Sequence, residues 1–433
     1  MKTFSIFSII VLLVACSPME QPKPQKFDFP ATVPQALNIS ADRLDYIDQL
    51  LQEYVDKGII PHALTFVAKN GVVFHNKAFG WSDIESGKVL KKDDLFRNFS
   101  QTKAVTTVAL MTLFEKGKFQ IDDPVSKYIP ECTGQVLEKL NPDGTYTTRP
   151  VASPLTIRHL MSHTSGIMGN RDLQVLRREQ MNQRNNKPYE TLAEEVKDLV
   201  QLPLAFDPGT EWNYHPASDV WGYLVEYFSG KPLRDYVKET ILTPLGMVDT
   251  DWYYPESYRE RMVTAYNEKD GKLVAQTDVW SGGANLTNSV WRSPFQEDTR
   301  YCQAGTGLYG TIEDYARFCQ MILNCGDFNG NRILGRRTIE MMSVDQLPHP
   351  NSGGPDFHFG LGFEIYPEKE SARKGISNFT QMVSPGSLQW GGMYNTDYLI
   401  DPKEGLIILL YTNRVPDTKI WEKFLNTVYQ VLR

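Results

Sequence analysis

Apolar residues recur with the period of an α-helix in several stretches of the chain. Residues 41–57 predict a helix, because its apolar residues fall on one face: Leu44, Ile47, Leu50, Leu51, Tyr54 and Val55. Residues 103–116 predict a helix that is apolar on nearly every side, which is typical of the centre of a domain. The same pattern predicts helices over residues 155–161, 192–202, 219–228 and 311–323, and a closing amphipathic helix marked by Trp421, Phe424, Leu425, Val428 and Leu432.

Signals for β-strands lie near both ends of the chain. Residues 63–68 and 72–79 predict two strands around Asn70-Gly71, a pair that favours a tight hairpin turn. Residues 394–400 and 406–411 predict another pair of strands. Because helices fill the sequence between them, we expect the α+β class: an antiparallel β-sheet flanked by helices, with an inserted mostly helical lobe. A cleft between sheet and lobe is a usual place for a small-molecule site.

The charge balance narrows the range of partners. The chain has 433 residues and a formal net charge of -7, and its basic residues are scattered. A mildly acidic chain without a basic patch gives no electrostatic footprint for nucleic acid, so we expect no nucleic-acid partner. Composition does not indicate the oligomeric state.

The first residues resemble an export signal. One lysine precedes an apolar run over residues 4–14, which is too short to cross a bilayer but suits a secretory signal peptide. The run ends Leu13-Val14-Ala15-Cys16, which resembles the bacterial lipobox. We therefore expect a signal peptide over residues 1–15, a lipidated Cys16, a Pro-containing tether over residues 16–35 and one domain over residues 36–433. The expected location is the outer membrane, facing the periplasm; the alternative is a plain signal peptide with an incidental cysteine.

Four cysteines remain in the expected domain: Cys132, Cys302, Cys319 and Cys325. An exported location permits disulfides, and Cys319 and Cys325 are close enough in sequence to pair if the helix between them ends early. Buried free thiols are the alternative. Neither a CxxC pair nor a Cys/His spacing typical of zinc occurs, so we expect no metal and no organic cofactor.

The strongest chemical signal is Ser100-Gln101-Thr102-Lys103, at the start of the central helix. A serine hydroxyl is a poor nucleophile until a base takes its proton, and a spacing of three places a lysine on the same helical face. A helix N-terminus also favours developing negative charge. SxxK is a weak pattern by itself: Ser371-Ala372-Arg373-Lys374 matches it too, in a polar stretch that we interpret as a solvated loop.

Several further blocks, in order along the chain, resemble the serine β-lactamase and penicillin-binding superfamily, in its class C-like branch. The segment around Ser100 is similar to the first motif of that superfamily. The other similar blocks are residues 155–166, 208–210, 244–247 and 314–318. The resemblance covers the chain from about residue 36 and implies a mixed sheet flanked by helices, with a mostly helical lobe.

The resemblance also assigns the other site residues. Trp212-Asn213-Tyr214 matches the second motif, which implies that Tyr214 relays protons with Ser100 and Lys103. Trp390-Gly391-Gly392 occupies the place of the third motif, on a strand beside the nucleophile, and the Met393 N–H would join the Ser100 N–H as the oxyanion hole. Pro216 replaces the asparagine and Trp390 the lysine of β-lactamases, and both departures resemble family VIII carboxylesterases.

Two other sequence patterns are better explained by structural roles than by nucleotide or metal binding. Residues 305–310 fit GxGxxG, but no buried strand precedes them, so we expect these glycines to let a loop run close to the cleft. His159 and His163 are four residues apart, but no HExxH pattern is present, and we expect structural histidines.

The sequence therefore predicts a serine hydrolase that forms an acyl-enzyme on Ser100, with carboxylic esters of small acyl groups as the favoured substrates. The alternatives are a β-lactamase, a D-amino-acid peptidase and a catalytically silent binding protein of the cell envelope. Whether Lys103 or Tyr214 acts as the base stays open.

Overall fold

The computed structural model describes residues 29, 37–132, 134–168, 171–184, 187–214, 216–276, 293–295, 299–354, 357–367 and 382–433. Cys16, the predicted signal peptide and the second SxxK sequence lie outside these residues. The described α-helices are α1 (Asp45–Asp56), α2 (Thr102–Glu115), α3 (Ile157–Met161), α4 (Arg171–Gln183), α5 (Leu192–Val200), α6 (Ala217–Ser229), α7 (Leu233–Val237), α8 (Ile312–Leu323), α9 (Arg336–Met342) and α10 (Ile420–Tyr429).

The described strands are β1 (His62–Lys69), β2 (Val72–His75), β3 (Ala78–Asp83), β4 (Lys88–Val89), β5 (Phe96–Arg97), β6 (Gln135–Leu140), β7 (Tyr146–Pro150), β8 (Tyr266–Lys269), β9 (Lys272–Ala275), β10 (Tyr309–Gly310), β11 (Asp327–Phe328), β12 (Asn331–Arg332), β13 (His358–Phe359), β14 (Glu364–Ile365), β15 (Leu388–Gly392), β16 (Thr396–Asp401), β17 (Leu406–Tyr411) and β18 (Arg414–Val415).

The main sheet is built from both ends of the domain. In the described part of the chain it has nine strands in the order β13-β14-β15-β16-β17-β1-β3-β4, with β2 also paired to β1. The pairing of β1 with β17 is antiparallel and joins Leu64 to Tyr411 and Lys69 to Leu406. Most helices and most strands of the smaller sheets come from the sequence between β4 and β13, so the predicted fold class is confirmed.

Strand β17 is apolar throughout, and β1 is apolar except for His62, Thr65 and Lys69, because both faces of the sheet are covered. Alternate residues of β1, Leu64 and Phe66, belong to a core shared with α2 and α8, whereas Ala63 and Val67 pack with α1 and α10. The residues of β17 alternate between the same two cores. A sheet buried on both faces requires such continuous apolar strands. Among the described residues, no helix is long and apolar enough to span a membrane.

The predicted element boundaries needed some corrections. The single strand expected over residues 72–79 is two strands, β2 and β3, which pair with different parts of β1 around a register shift. The expected helix over residues 41–57 begins with a separate 3₁₀ turn, Ala41–Arg43. Residue Asn395 is in a turn with φ of 55°, so β16 starts at Thr396 instead of residue 394. The hairpin of β6 and β7 was not predicted.

The cysteines of the described residues are free thiols. Cys319 is buried in α8, whereas Cys325 is exposed after the helix has ended, so the two do not form the disulfide that the sequence left possible. The alternative expectation of buried free thiols holds for Cys302 and Cys319, not for Cys325.

Candidate active site

Ser100 lies in a 3₁₀ turn, Phe99–Gln101, that leads directly into α2. Lys103 lies one helical turn later, on the same face as Ser100, and it is buried, with 6% of its surface exposed. Its Nζ donates a hydrogen bond to Ser100 Oγ at 3.2 Å. The spacing of three thus places the amine against the hydroxyl, as the sequence predicted.

The turn that carries Ser100 is fixed from several sides. Gln101 donates its side-chain amide to Thr396 O at 2.9 Å, and its own Oε1 accepts from the Tyr411 hydroxyl at 2.7 Å. Phe99 has φ of 47°, a left-handed conformation that costs free energy for a residue with a side chain. Its ring stacks on Tyr394 with 5.2 Å between centroids, a distance typical of aromatic pairs. Contacts with β16 and β17 therefore hold a strained nucleophile turn against the sheet.

Lys103 has two further neighbours besides Ser100. Its Nζ donates to Gly305 O at 3.0 Å and lies 4.7 Å from the centre of the Tyr214 ring. The loop can approach so closely because Gly305 has no side chain: a Cβ there would lie 2.3 Å from Ser218 Oγ and 3.3 Å from Lys103 Nζ. The expectation that the GxGxxG glycines let a loop run close to the cleft is confirmed at Gly305.

Tyr214 lies at the same site, but its hydroxyl makes a different contact from the one expected. It accepts a hydrogen bond from Trp390 Nε1 at 3.2 Å, and the two ring centroids are 5.0 Å apart. Among the described residues, no hydrogen bond joins this hydroxyl to Ser100 or Lys103; the amine instead faces the ring.

The segment Trp390-Gly391-Gly392 forms the end of β15, as predicted for a strand beside the nucleophile. A Cβ on Gly392 would lie 2.7 Å from Asn98 O and 3.0 Å from Phe99 Cβ, so the strand packs directly on the Ser100 segment. Met393 follows the strand with an exposed side chain. The oxyanion role of the Ser100 and Met393 N–H groups stays a prediction.

The two histidines of the 155–166 block differ in position. His159 is part of the cap of α3, where its Nδ1 accepts from Thr156 N at 3.2 Å, and burial lowers its pKa to about 4. This is the structural role that we expected. His163 packs its buried ring against Tyr214 with 4.7 Å between centroids, so it supports a candidate site residue. No pattern in the sequence indicated that contact.

Three other residues have the composition of a metal site. Asp345, His349 and His358 bring their ligand atoms within 4.8 Å of one another. Both imidazoles contact the same carboxylate oxygen, at 2.5 Å for His349 Nε2 and 2.7 Å for His358 Nδ1. Asn351 Nδ2 faces His349 Nδ1 at 3.3 Å, while its other contacts, to Phe357 O and Gly353 N, fix the amide orientation. The proton of His349 is therefore on Nε2, towards Asp345, which favours a hydrogen-bonded cluster over a metal site.

The fold and this arrangement of serine, lysine and tyrosine define a member of the β-lactamase class of proteins. The Beta-lactamase family profile matches residues 47–423, and the chain belongs to that family.

Similar proteins include Protein Rv1367c of Mycobacterium tuberculosis, which is 30% identical over 87% of this chain and 92% of its own length. Esterase EstB of Burkholderia gladioli is 29% identical over 86% of this chain and 90% of its own. Among solved structures, EstCE1, a hydrolase with promiscuous acyltransferase activity, superimposes with a TM-score of 0.73 at 24% identity, covering 92% of this chain and 99% of its own.

Proposed function

We propose that the protein is a serine hydrolase that cleaves carboxylic esters of small acyl groups through an acyl-enzyme on Ser100. The observation that supports this most is the hydrogen bond of 3.2 Å from Lys103 Nζ to Ser100 Oγ, on a buried amine at the start of α2. Membership of the Beta-lactamase family and similarity to Esterase EstB support the same reaction class.

The proposed reaction has two halves. Ser100 Oγ attacks the ester carbonyl carbon, its proton passes to Lys103 or Tyr214, and the N–H groups of Ser100 and Met393 receive the oxyanion. The C–O bond to the alcohol then breaks, and the alcohol leaves with that proton. Water attacks the acyl-enzyme, gives its proton to the same base and releases the acid, while Ser100 recovers its hydrogen.

The residues around the site favour esters over β-lactams. Trp390 stands where β-lactamases have a lysine for the substrate carboxylate, and Pro216 stands where they have a side-chain amide. Trp390 also belongs to an aromatic wall: its ring centroid is 5.3 Å from Phe359, and Trp212 lies 4.5 Å from Phe357. An apolar wall without a fixed cation suits an uncharged acyl group.

Active-site labelling tests the serine hydrolase. We expect a fluorophosphonate probe to modify Ser100, as located by peptide mass spectrometry. Ser100→Ala should abolish labelling and lower the rate of ester hydrolysis by several orders of magnitude, on the order of 10⁴-fold or more. The matched control is Ser371→Ala in the second SxxK sequence, which should label and turn over like the wild type. Folded wild-type protein without label at Ser100 would favour the silent binding protein.

Substrate ranking tests the ester preference. We expect p-nitrophenyl butyrate to give a higher kcat/KM than a chromogenic cephalosporin or a D-alanyl-D-alanine peptide. A higher kcat/KM with either of the other substrates would replace the esterase by a β-lactamase or a D-amino-acid peptidase, with the same Ser100 chemistry.

A further inference from the structure

Two consecutive residues beside Lys103, which we call the Ala304–Gly305 loop, form main-chain hydrogen bonds with side chains of two helices. The Ala304 N–H donates to Asp219 Oδ1 at 3.0 Å. On the carbonyl side, Ala304 O accepts from Thr106 Oγ1 at 2.9 Å and Gly305 O accepts from Lys103 Nζ at 3.0 Å. The loop is thus held between a carboxylate on α6 and two side chains of α2.

Asp219 is an unusual residue for its position. It lies in the first turn of α6, where 3% of its surface is exposed, and the following residues Val220 and Trp221 are completely buried. Burial raises the pKa of Asp219, the nearby Glu195 raises it further, and Lys103 opposes the rise. A buried carboxylate is costly unless hydrogen bonds or an opposite charge compensate it. Here the Ala304 N–H and the nearby Lys103 amine provide that compensation.

We propose that Asp219 is a positioning residue for the nucleophile pair: its hydrogen bond with the Ala304 N–H holds the Ala304–Gly305 loop so that the Gly305 carbonyl fixes the Lys103 amine beside Ser100. The inference rests on the proposed function and deepens it. Asp219 acts through Gly305 and Lys103 and does not contact the reacting atoms. A lysine side chain is long and flexible, so it needs fixed acceptors to keep its amine in one place.

A purely structural role is the competing explanation, because the same bonds also stabilise the fold. Asp219→Asn separates the two, since it keeps the size of the side chain but replaces the carboxylate that accepts the Ala304 N–H by the weaker acceptor of an amide. Asp314→Asn is the matched control. Asp314 is also fully buried in the first turn of a helix, accepts Asp249 N at 2.8 Å and pairs with Arg317 at 2.9 Å.

The test compares the rates at which a fluorophosphonate labels Ser100 in the wild type, Asp219→Asn and Asp314→Asn, each with a cooperative melting transition above the assay temperature. We expect Asp219→Asn to lower the labelling rate and the kcat for p-nitrophenyl butyrate about 10-fold to 100-fold, with KM changed less than about twofold. Asp314→Asn should lower the melting temperature and keep both rates near those of the wild type.

Labelling of Asp219→Asn at the wild-type rate would overturn the inference, as would equal losses in both variants. If Asp219→Asn does not fold, Asp219→Ser replaces it, because serine keeps one acceptor without the charge. The same labelling rate and kcat are then expected, and the same outcomes would overturn the inference. An unlabelled wild type would instead contradict the proposed function, so the two failures are distinguishable.

Discussion

The substitution Gly305→Ala tests how closely the Ala304–Gly305 loop must approach Lys103. The new Cβ would lie 2.3 Å from Ser218 Oγ, whereas ordinary van der Waals contacts begin at 3.4 Å. The loop or α6 must therefore move by about 1 Å, which is enough to break the 3.0 Å bond between Lys103 Nζ and Gly305 O. Overpacking of this kind costs about 1–3 kcal/mol of stability.

The larger effect should be on catalysis. A displacement of about 1 Å at a positioned group can lower kcat about 100-fold, so we expect Gly305→Ala to lose roughly that much activity on p-nitrophenyl butyrate while it still folds. The assays are steady-state kinetics for kcat and KM and thermal unfolding for stability.

A second substitution should rescue the first. Ser218 Oγ is buried and has no hydrogen-bond partner among the described residues, so Ser218→Ala removes an uncompensated polar atom at little cost. In the double variant the shortest distances from the new Cβ are 3.3 Å, to Lys103 Nζ and to the Cβ of residue 218. We expect Ser218→Ala to retain wild-type kcat and to restore much of the activity that Gly305→Ala loses. Wild-type activity in Gly305→Ala, or a double variant no better than the single, would refute the steric reasoning.

Three other outcomes follow from the structure and the sequence. Trp390→Phe removes the N–H donated to the Tyr214 hydroxyl but keeps an aromatic ring, so kcat should fall about fivefold, the equivalent of about 1 kcal/mol; an unchanged kcat would show that the bond is dispensable. Burial lowers the pKa of His62 from 6.5 to about 4, so the unfolded chain takes up the proton first as the pH falls. The contribution of His62 to the free energy of unfolding should therefore decrease by about 3 kcal/mol between pH 6.5 and pH 4, and denaturant titrations of His62→Gln should show a decrease smaller by that amount. If Cys16 is lipidated, Cys16→Ser should move the full chain from the detergent phase to the aqueous phase on Triton X-114 partitioning, and equal partitioning would contradict the anchor.

The parts of the site that sequence could predict depend on local spacing. Ser100 and Lys103 are one helical turn apart, and an α-helix fixes that relation wherever the helix lies. The apolar strands and their partner helices were also predictable, because their periodicity reflects which faces are buried.

The parts that were missed depend on contacts between distant segments. The hydroxyl of Tyr214 was expected near Ser100 and Lys103, but it contacts Trp390, 176 residues away in sequence. Gly305 O accepts a hydrogen bond from Lys103 Nζ although the two residues are 202 positions apart in sequence, and no local spacing pattern predicts such a contact. One signal in the sequence was not used: Asp219 is an acidic residue among the buried residues of a largely apolar helix, and a buried carboxylate needs a hydrogen-bond or charge partner.

The pairing of β1 with β17 has a consequence for how the chain reaches its native state. Leu64 and Tyr411 are neighbours in the sheet although nearly the whole domain separates them in sequence. Closing so large a loop is entropically costly, and it must wait until the ribosome has released the last strand. The early segment that carries Ser100 therefore has no β16 or β17 to hold its strained turn during synthesis. A nascent chain that lacks these strands should therefore be unable to perform the proposed hydrolysis.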